Sequence, residues 1–232
     1  MIQIHQLIKT FGEKTAVNIP ELTIADGVIL GIVGNNGAGK STLFRLMLDL
    51  LKADSGHVLL HDIDPSLQES WKESTGAYLD EGFLIDFLTP EEYFEFIASA
   101  NSLSKELLYS RLEGFSQFMN GEIMNQKKLI RDFSAGNKQK IGIIGAMLNM
   151  PSLLILDEPF NFLDPSSQHT LKKILADYHS STGATILISS HNLQHTIDLS
   201  THIVLLEHGS VIKDLSNAGR QAEPELEAYF SN

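Results

Sequence analysis

The residues best suited to chemistry in this sequence form a run of small side chains ending in a lysine and two hydroxyls. It reads Gly34-Asn35-Asn36-Gly37-Ala38-Gly39-Lys40-Ser41-Thr42. Successive backbone N–H groups at the start of a helix form a concave donor site for a polyphosphate. Side chains would block that approach, so Gly34, Gly37 and Gly39 keep the backbone bare and permit positive φ. Lys40 has the reach for β- and γ-phosphates. The Ser41 hydroxyl is a hard oxygen donor suited to Mg²⁺, which takes few protein ligands and keeps several waters. The spacing Gly34-x-x-x-x-Gly39-Lys40-Ser41 is the Walker A, or P-loop, pattern. The context that this motif requires is also present. The apolar run from Val28 to Val33 precedes it, and Leu43, Leu46, Met47 and Leu50 follow at helical spacing.

A second chemical group stands at Asp157-Glu158, directly after the apolar run Leu153-Leu154-Ile155-Leu156. Two carboxylates at the end of a buried strand need a reason, and the carboxyl ends of parallel strands are where ligands bind in doubly wound sheets. Asp157 can hold Mg²⁺ or its water, and Glu158 can take a proton from an attacking water. His191 also follows a strand-like run, from Ala184 to Ser189, and could hydrogen-bond a γ-phosphate oxygen. Phe11 sits at a turn near Gly12-Glu13. Its ring could stack on an adenine or simply plug the sheet, and the residues leave both readings open.

These groups need elements to position them. The chain of 232 residues, 43% hydrophobic, is long enough for one α/β domain with a subdomain. Strands are expected over 2–8 and 14–24, a short strand at 57–60, a short helix at 66–72 and a strand at 76–79. Helices are then expected from Pro90 to about Ala100 and from Lys105 to about Phe118. Residues from about 82 to 132 read as a helical insertion in an otherwise alternating chain. Ser134 caps a long, nearly all-apolar helix that Pro151 ends. A helix over 166–178, a closing hairpin around His208-Gly209 and a short helix at 224–230 complete the reading.

Composition narrows the function classes. A net charge of −12 with no basic cluster disfavours a nucleic-acid partner. The absence of cysteine excludes disulfides and cysteine-held clusters. The longest apolar region, from Ile141 to Leu156, is broken by Gly142, Gly145, Asn149 and Pro151, so no membrane span is expected. The N-terminal Met1-Ile2-Gln3-Ile4-His5 has no basic region leading into an apolar one, so no signal peptide is expected and the chain reads as cytosolic.

With these pieces in order, the sequence resembles the nucleotide-binding subunits of ATP-binding cassette (ABC) transporters, over nearly its whole length. Gly34 to Thr42 resemble the Walker A loop, and Leu153 to Glu158 resemble Walker B with its catalytic glutamate. Ser134-Ala135-Gly136-Asn137 is similar to the ABC signature, Asn161 to Asp164 to the D-loop, His191 to the switch histidine and Phe11 to the adenine-stacking aromatic. The resemblance implies a P-loop (RecA-like) α/β core with an N-terminal antiparallel β subdomain and the helical subdomain at about 82–132, all in one ABC domain over 1–232. It implies ATP and Mg²⁺ as ligands. It further implies a head-to-tail dimer, with a second copy or a paralogous cassette, in which each signature closes over the partner's ATP, and a separate membrane permease, for export in the short bacterial type. Such a subunit would lie peripherally on the inner face of the membrane.

The resemblance has departures. Ala135 and Asn137 stand where Gly and Gln are usual, and Phe162 is bulky for a D-loop. The Q-loop position is Asp80 or Glu81, with Asp80 the expected further ligand of the metal. The aromatic segment from Phe83 to Phe96 is either a permease-docking surface or ordinary core. A soluble ABC ATPase, as in iron–sulfur cluster assembly, and an ATP-binding dimerisation switch are the competing readings.

Overall fold

The computed structural model describes residues 1–230. Its first element is β1 (Ile2–Phe11), which turns tightly through Gly12-Glu13 into the antiparallel β2 (Lys14–Ile24). Apolar and polar residues alternate along both strands, and Ile4, Leu7, Val17 and Ile19 form the buried face. The chain then runs through β3 (Ile29–Val33), the glycine-rich loop and α1 (Lys40–Met47). It returns as β4 (Ser55–Leu60) on the free edge of β1, giving a three-stranded sheet of order β2-β1-β4.

The remaining elements follow in chain order. They are β5 (Thr75–Tyr78), α2 (Pro90–Ala100), α3 (Lys105–Glu113), α4 (Ser116–Met119), α5 (Ala135–Met147), β6 (Leu153–Leu156) and α6 (Pro165–Thr182). Then come β7 (Thr185–Ser190), α7 (Leu193–Leu199), β8 (His202–Glu207), β9 (Ser210–Ser216) and α8 (Glu223–Phe230). The second sheet has the order β5-β6-β7-β3-β8-β9 and is parallel except for the hairpin strand β9. Every residue of β3, β6 and β7 is buried, which is why these strands are apolar runs rather than alternating ones.

The two faces of this sheet bury different partners. Leu154, Leu156, Ile186 and Ile188 pack with Phe94, Leu108 and Phe118 of the helical segment and with Ile141 and Ile144 of α5. Leu30, Ile32, Ile155 and Leu187 pack with Leu43 and Phe44 of α1 and with the inner face of the antiparallel sheet. The period of two along a strand divides these sets. Helix α5 lies close against β5 because Gly142 has no side chain; a Cβ there would stand 2.0 Å from the Tyr78 ring.

Most element types match the sequence expectations, while one expected helix, one unexpected helix and several boundaries differ. Helix α1 ends at Met47, so Leu50 falls outside it and is exposed. The helix expected at 66–72 is instead a turn followed by a 3-10 helix at Ser70–Ser74. Asp64 accepts from both the amide and the hydroxyl of Ser66, and such local side-chain bonds compete with helix formation. The helix expected over 105–118 breaks at Gly114 into α3 and α4. Helix α7 had no clear periodic signal and was not expected. Pro90 does open α2, inside a capping box of Thr89 and Glu92.

Candidate functional site

Strand ends bring the chemical groups together. Val33, Leu156 and Ser190 close three neighbouring parallel strands at one edge, and the glycine-rich loop, Asp157-Glu158 and His191 follow them. The loop then enters α1 at Gly39, whose φ of 110° and lack of a side chain leave the helix start uncapped. Gly37 also has positive φ, at 81°. Gly34 is small for another reason. A Cβ there would lie 2.2 Å from the Leu206 carbonyl oxygen, so it is close packing on β8 that excludes a side chain.

Lys40 is buried, and its Nζ donates to the carbonyl oxygens of Gly34 at 2.6 Å and Asn35 at 3.4 Å. It also lies 3.5 Å from Glu158 Oε1. A cation tethered by two carbonyls and one carboxylate stays at the loop mouth, where an incoming phosphate can exchange for them. Asp157 is buried, and burial pushes its carboxyl above the usual range; hydrogen bonds from the hydroxyls of Ser189 and Ser41 act against that. Ser189 therefore bonds Asp157 through its hydroxyl, and its Oγ also accepts from the Glu158 amide at 2.8 Å.

Glu158 has a φ of 47°, an uncommon conformation for a side chain of its length. Three contacts fix it there. Its carbonyl accepts from Gln139 Nε2 at 3.1 Å, and its Oε2 lies 2.8 Å from His191 Nδ1 and accepts from the His191 amide at 3.2 Å. A carboxylate oriented by an imidazole at the mouth of a phosphate loop is arranged to handle a water proton.

A cleft of about 300 Å³ runs from Phe11 along Asn36, Gly37 and Gly39 to Thr42 and Glu158. Phe11 lies at its end with 52% of its surface exposed, so the ring plugs nothing in the sheet and presents a face to a planar group. None of Ser134, Ala135, Gly136 and Asn137 lines this cleft. Ser134 caps α5, with its Oγ accepting from the Asn137 amide. Gly136 lies beside the Phe162 carbonyl, where a Cβ would come within 2.6 Å. The signature-like residues and the loop at 161–164 thus meet each other rather than the P-loop of their own chain. Asn161 donates its amide to the Glu158 carbonyl at 3.1 Å, and Asp164 caps α6 through Ser167. Phe162 is 73% exposed between them.

Asp80 was expected as a metal ligand, but both its oxygens are engaged elsewhere. Oδ2 pairs with Arg45 at 2.9 Å, and Oδ1 accepts from the Gly82 amide at 2.8 Å. Glu81 pairs with Lys138 at 3.2 Å. Ser41 and Asp157 remain as a hard-oxygen pair of the kind Mg²⁺ prefers. Sequence reading missed Ser189 and Gln139. Ser189 had a usable signal, as a polar residue directly after the apolar run Ile186-Leu187-Ile188. Gln139 had none, because its partner is a backbone carbonyl.

Among the described residues no helix is long and apolar enough to cross a membrane. The family model described as "ABC transporter" matches residues 17–161. The lantibiotic transport ATP-binding protein SrtF of Streptococcus pyogenes is 31% identical over 232 residues, covering 100% of this chain and 96% of that protein. The bacitracin transport ATP-binding protein BcrA of Enterococcus faecalis is also 31% identical, over 93% of this chain and 69% of its own length. Among solved structures, an ATP-binding subunit of an ABC transporter superposes with a TM-score of 0.86 at 25% identity, covering all of both chains. The cassette MJ0796, in a dimeric post-hydrolysis state bound to ADP and Pi, shares the fold with a TM-score of 0.82 at 22% identity over 94% of this chain and 99% of its own.

Proposed function

The chain belongs to the ABC transporter family as an ATP-binding, ATP-hydrolysing subunit, and from that premise we propose how its residues work and with what they assemble. Phe11 stacks on the adenine, and the loop from Gly34 to Thr42 wraps the polyphosphate with its amides. Lys40 leaves the Gly34 carbonyl for a phosphate oxygen. Ser41 and Asp157 would hold Mg²⁺, which supplies charge neutralisation across the phosphates when bound. Glu158 accepts the proton of the attacking water, and His191 orients that carboxylate and reaches the γ-phosphate. The 2.8 Å contact between His191 Nδ1 and Glu158 is the single observation that carries this assignment. An intact acid–base pair also favours hydrolysis over a passive ATP-binding switch.

The site is incomplete in one chain, because the residues at 134–137 stay away from the cleft. Two copies packed head to tail bring Ser134, Ala135, Gly136 and Asn137 of one over the nucleotide of the other, with Asn161, Phe162 and Asp164 beside them. The helical segment at about 82–132 works as a subdomain that carries the signature-like helix start. The membrane partner is a separate permease, and the two relatives named for lantibiotic and bacitracin transport favour export at the cytoplasmic face. Its docking surface is the groove of about 420 Å³ that carries the exposed Leu50, Leu67 and Phe83 over the buried Trp71. Phe94, by contrast, is ordinary core.

The test is light scattering of Glu158→Gln with and without Mg-ATP. The expected result is a monomer that becomes a dimer only with nucleotide. A protein that stays monomeric at saturating Mg-ATP overturns the homodimeric arrangement.

A further inference from the structure

We propose that Lys14 is a second cation for the polyphosphate of the bound nucleotide, held in place by the same hairpin that presents Phe11. The inference rests on the nucleotide-site reading above and adds to it a residue outside every motif of the sequence. Phe11 and Lys14 are Cα partners in the last rung of β1 and β2, across the turn Gly12-Glu13. Directly opposed residues in an antiparallel pair point to one face, so the base-facing ring and the ammonium emerge side by side. Both line the cleft of the phosphate loop.

The ammonium reaches that loop. A Cβ built on Gly37 would lie 3.6 Å from Lys14 Nζ, which puts the charge against the middle of the run of loop amides. Two neighbouring lysines make the contrast. Lys9 also approaches the Phe11 ring, at 5.6 Å, but its charge is paired with Asp54 at 2.8 Å. Lys40 shares its charge with Glu158. Among the described residues, Lys14 has no carboxylate within ion-pair distance. In a chain of net charge −12, an unneutralised cation at the mouth of an anion site draws the ligand in and contacts it there.

The test compares wild type, Lys14→Gln and Lys14→Arg by calorimetric titration with ATP, ADP and adenosine in EDTA, at low and high salt. Lys14→Gln is expected to weaken ATP and ADP by about tenfold, the loss of one charge-assisted contact. Adenosine affinity is expected to stay unchanged, the salt dependence of ATP binding to become shallower, and Lys14→Arg to restore most of the loss. Equal weakening of ATP and adenosine overturns the proposal, because the effect would then come from a disturbed Phe11 turn. Unaltered ATP binding in Lys14→Gln overturns it too and leaves the nucleotide site standing. A wild-type protein that binds no ATP refutes the site itself.

Discussion

Replacing Glu158 by Gln should separate chemistry from binding in a direction set by Lys40. The carboxylate does two things in the structure: it faces His191 through Oε2, and it holds Lys40 at 3.5 Å through Oε1. At that separation the Coulomb attraction is on the order of 5 kcal/mol for an effective dielectric of about 20. Desolvation of both groups offsets most of this, leaving a net value of about 1 to 2 kcal/mol. ATP must break that pair to take Lys40, so an amide at position 158 removes a competitor for the lysine. It also removes a negative charge facing the phosphates. ATP should therefore bind about 5- to 30-fold more tightly to Glu158→Gln than to wild type. Turnover should fall by about 10²- to 10⁴-fold, the usual range for loss of a positioned general base. The amide oxygen can still accept from the His191 backbone, so the turn at 158 should keep its conformation. Equilibrium binding in EDTA gives the affinity and phosphate release with Mg²⁺ gives kcat. Weaker ATP binding would refute the Lys40 argument, and a kcat within about tenfold of wild type would refute the role of Glu158.

Two further outcomes follow from single residues. Phe11→Ala should weaken both ATP and adenosine by about 5- to 150-fold, matching one lost base–aromatic stack, while Phe11→Trp retains affinity; because the ring is half exposed, the thermal midpoint should not change. Asp54, bonded to Lys9 and to the amide and hydroxyl of Thr10, has its carboxyl pulled down from 3.8 to about 2. A depressed carboxyl adds stability that is full above its unfolded value and disappears as pH falls through its folded one. The difference in Tm between wild type and Asp54→Asn should thus be constant above about pH 4 and vanish towards pH 2; a constant difference across that range would show that the ion pair does not stabilise the fold.

The sequence was most legible where a strand end and a motif coincided. The runs Ile29–Val33 and Leu153–Leu156 are apolar because both faces of those strands are covered, and each delivers its polar residues to the same edge. Helix boundaries were less legible, because Gly114 and Asp64 act through local geometry that periodicity does not register. Gly34 shows a different gap. Its presence was expected, but its reason, the nearby Leu206 carbonyl, comes from a strand near the far end of the chain. Lys14 and Gln139 were illegible for a related cause: each matters through a partner that the sequence does not mark.

Asp80 and Glu81, which depart from the family pattern, are each tied to a different helix. The two adjacent carboxylates are drawn to different elements: Asp80 to Arg45 at the end of α1, the helix that begins at the phosphate loop, and Glu81 to Lys138 on α5, the helix that begins at the signature-like residues. Both pairs are partly exposed, and pairs of that kind contribute about 0 to 1 kcal/mol. They position the segment without locking it. The same 3-10 turn, Glu81–Phe83, carries the exposed Phe83 ring that lines the proposed permease groove. Phe83 thus stands within three residues of a contact to the helix of the phosphate loop and of another to the helix of the signature-like residues. A neutral glutamine at position 80 would have no charge with which to hold Arg45. The shorter reach of aspartate towards a metal is offset here by a tether that holds this turn between α1, which starts at the phosphate loop, and α5, which starts at the signature-like residues.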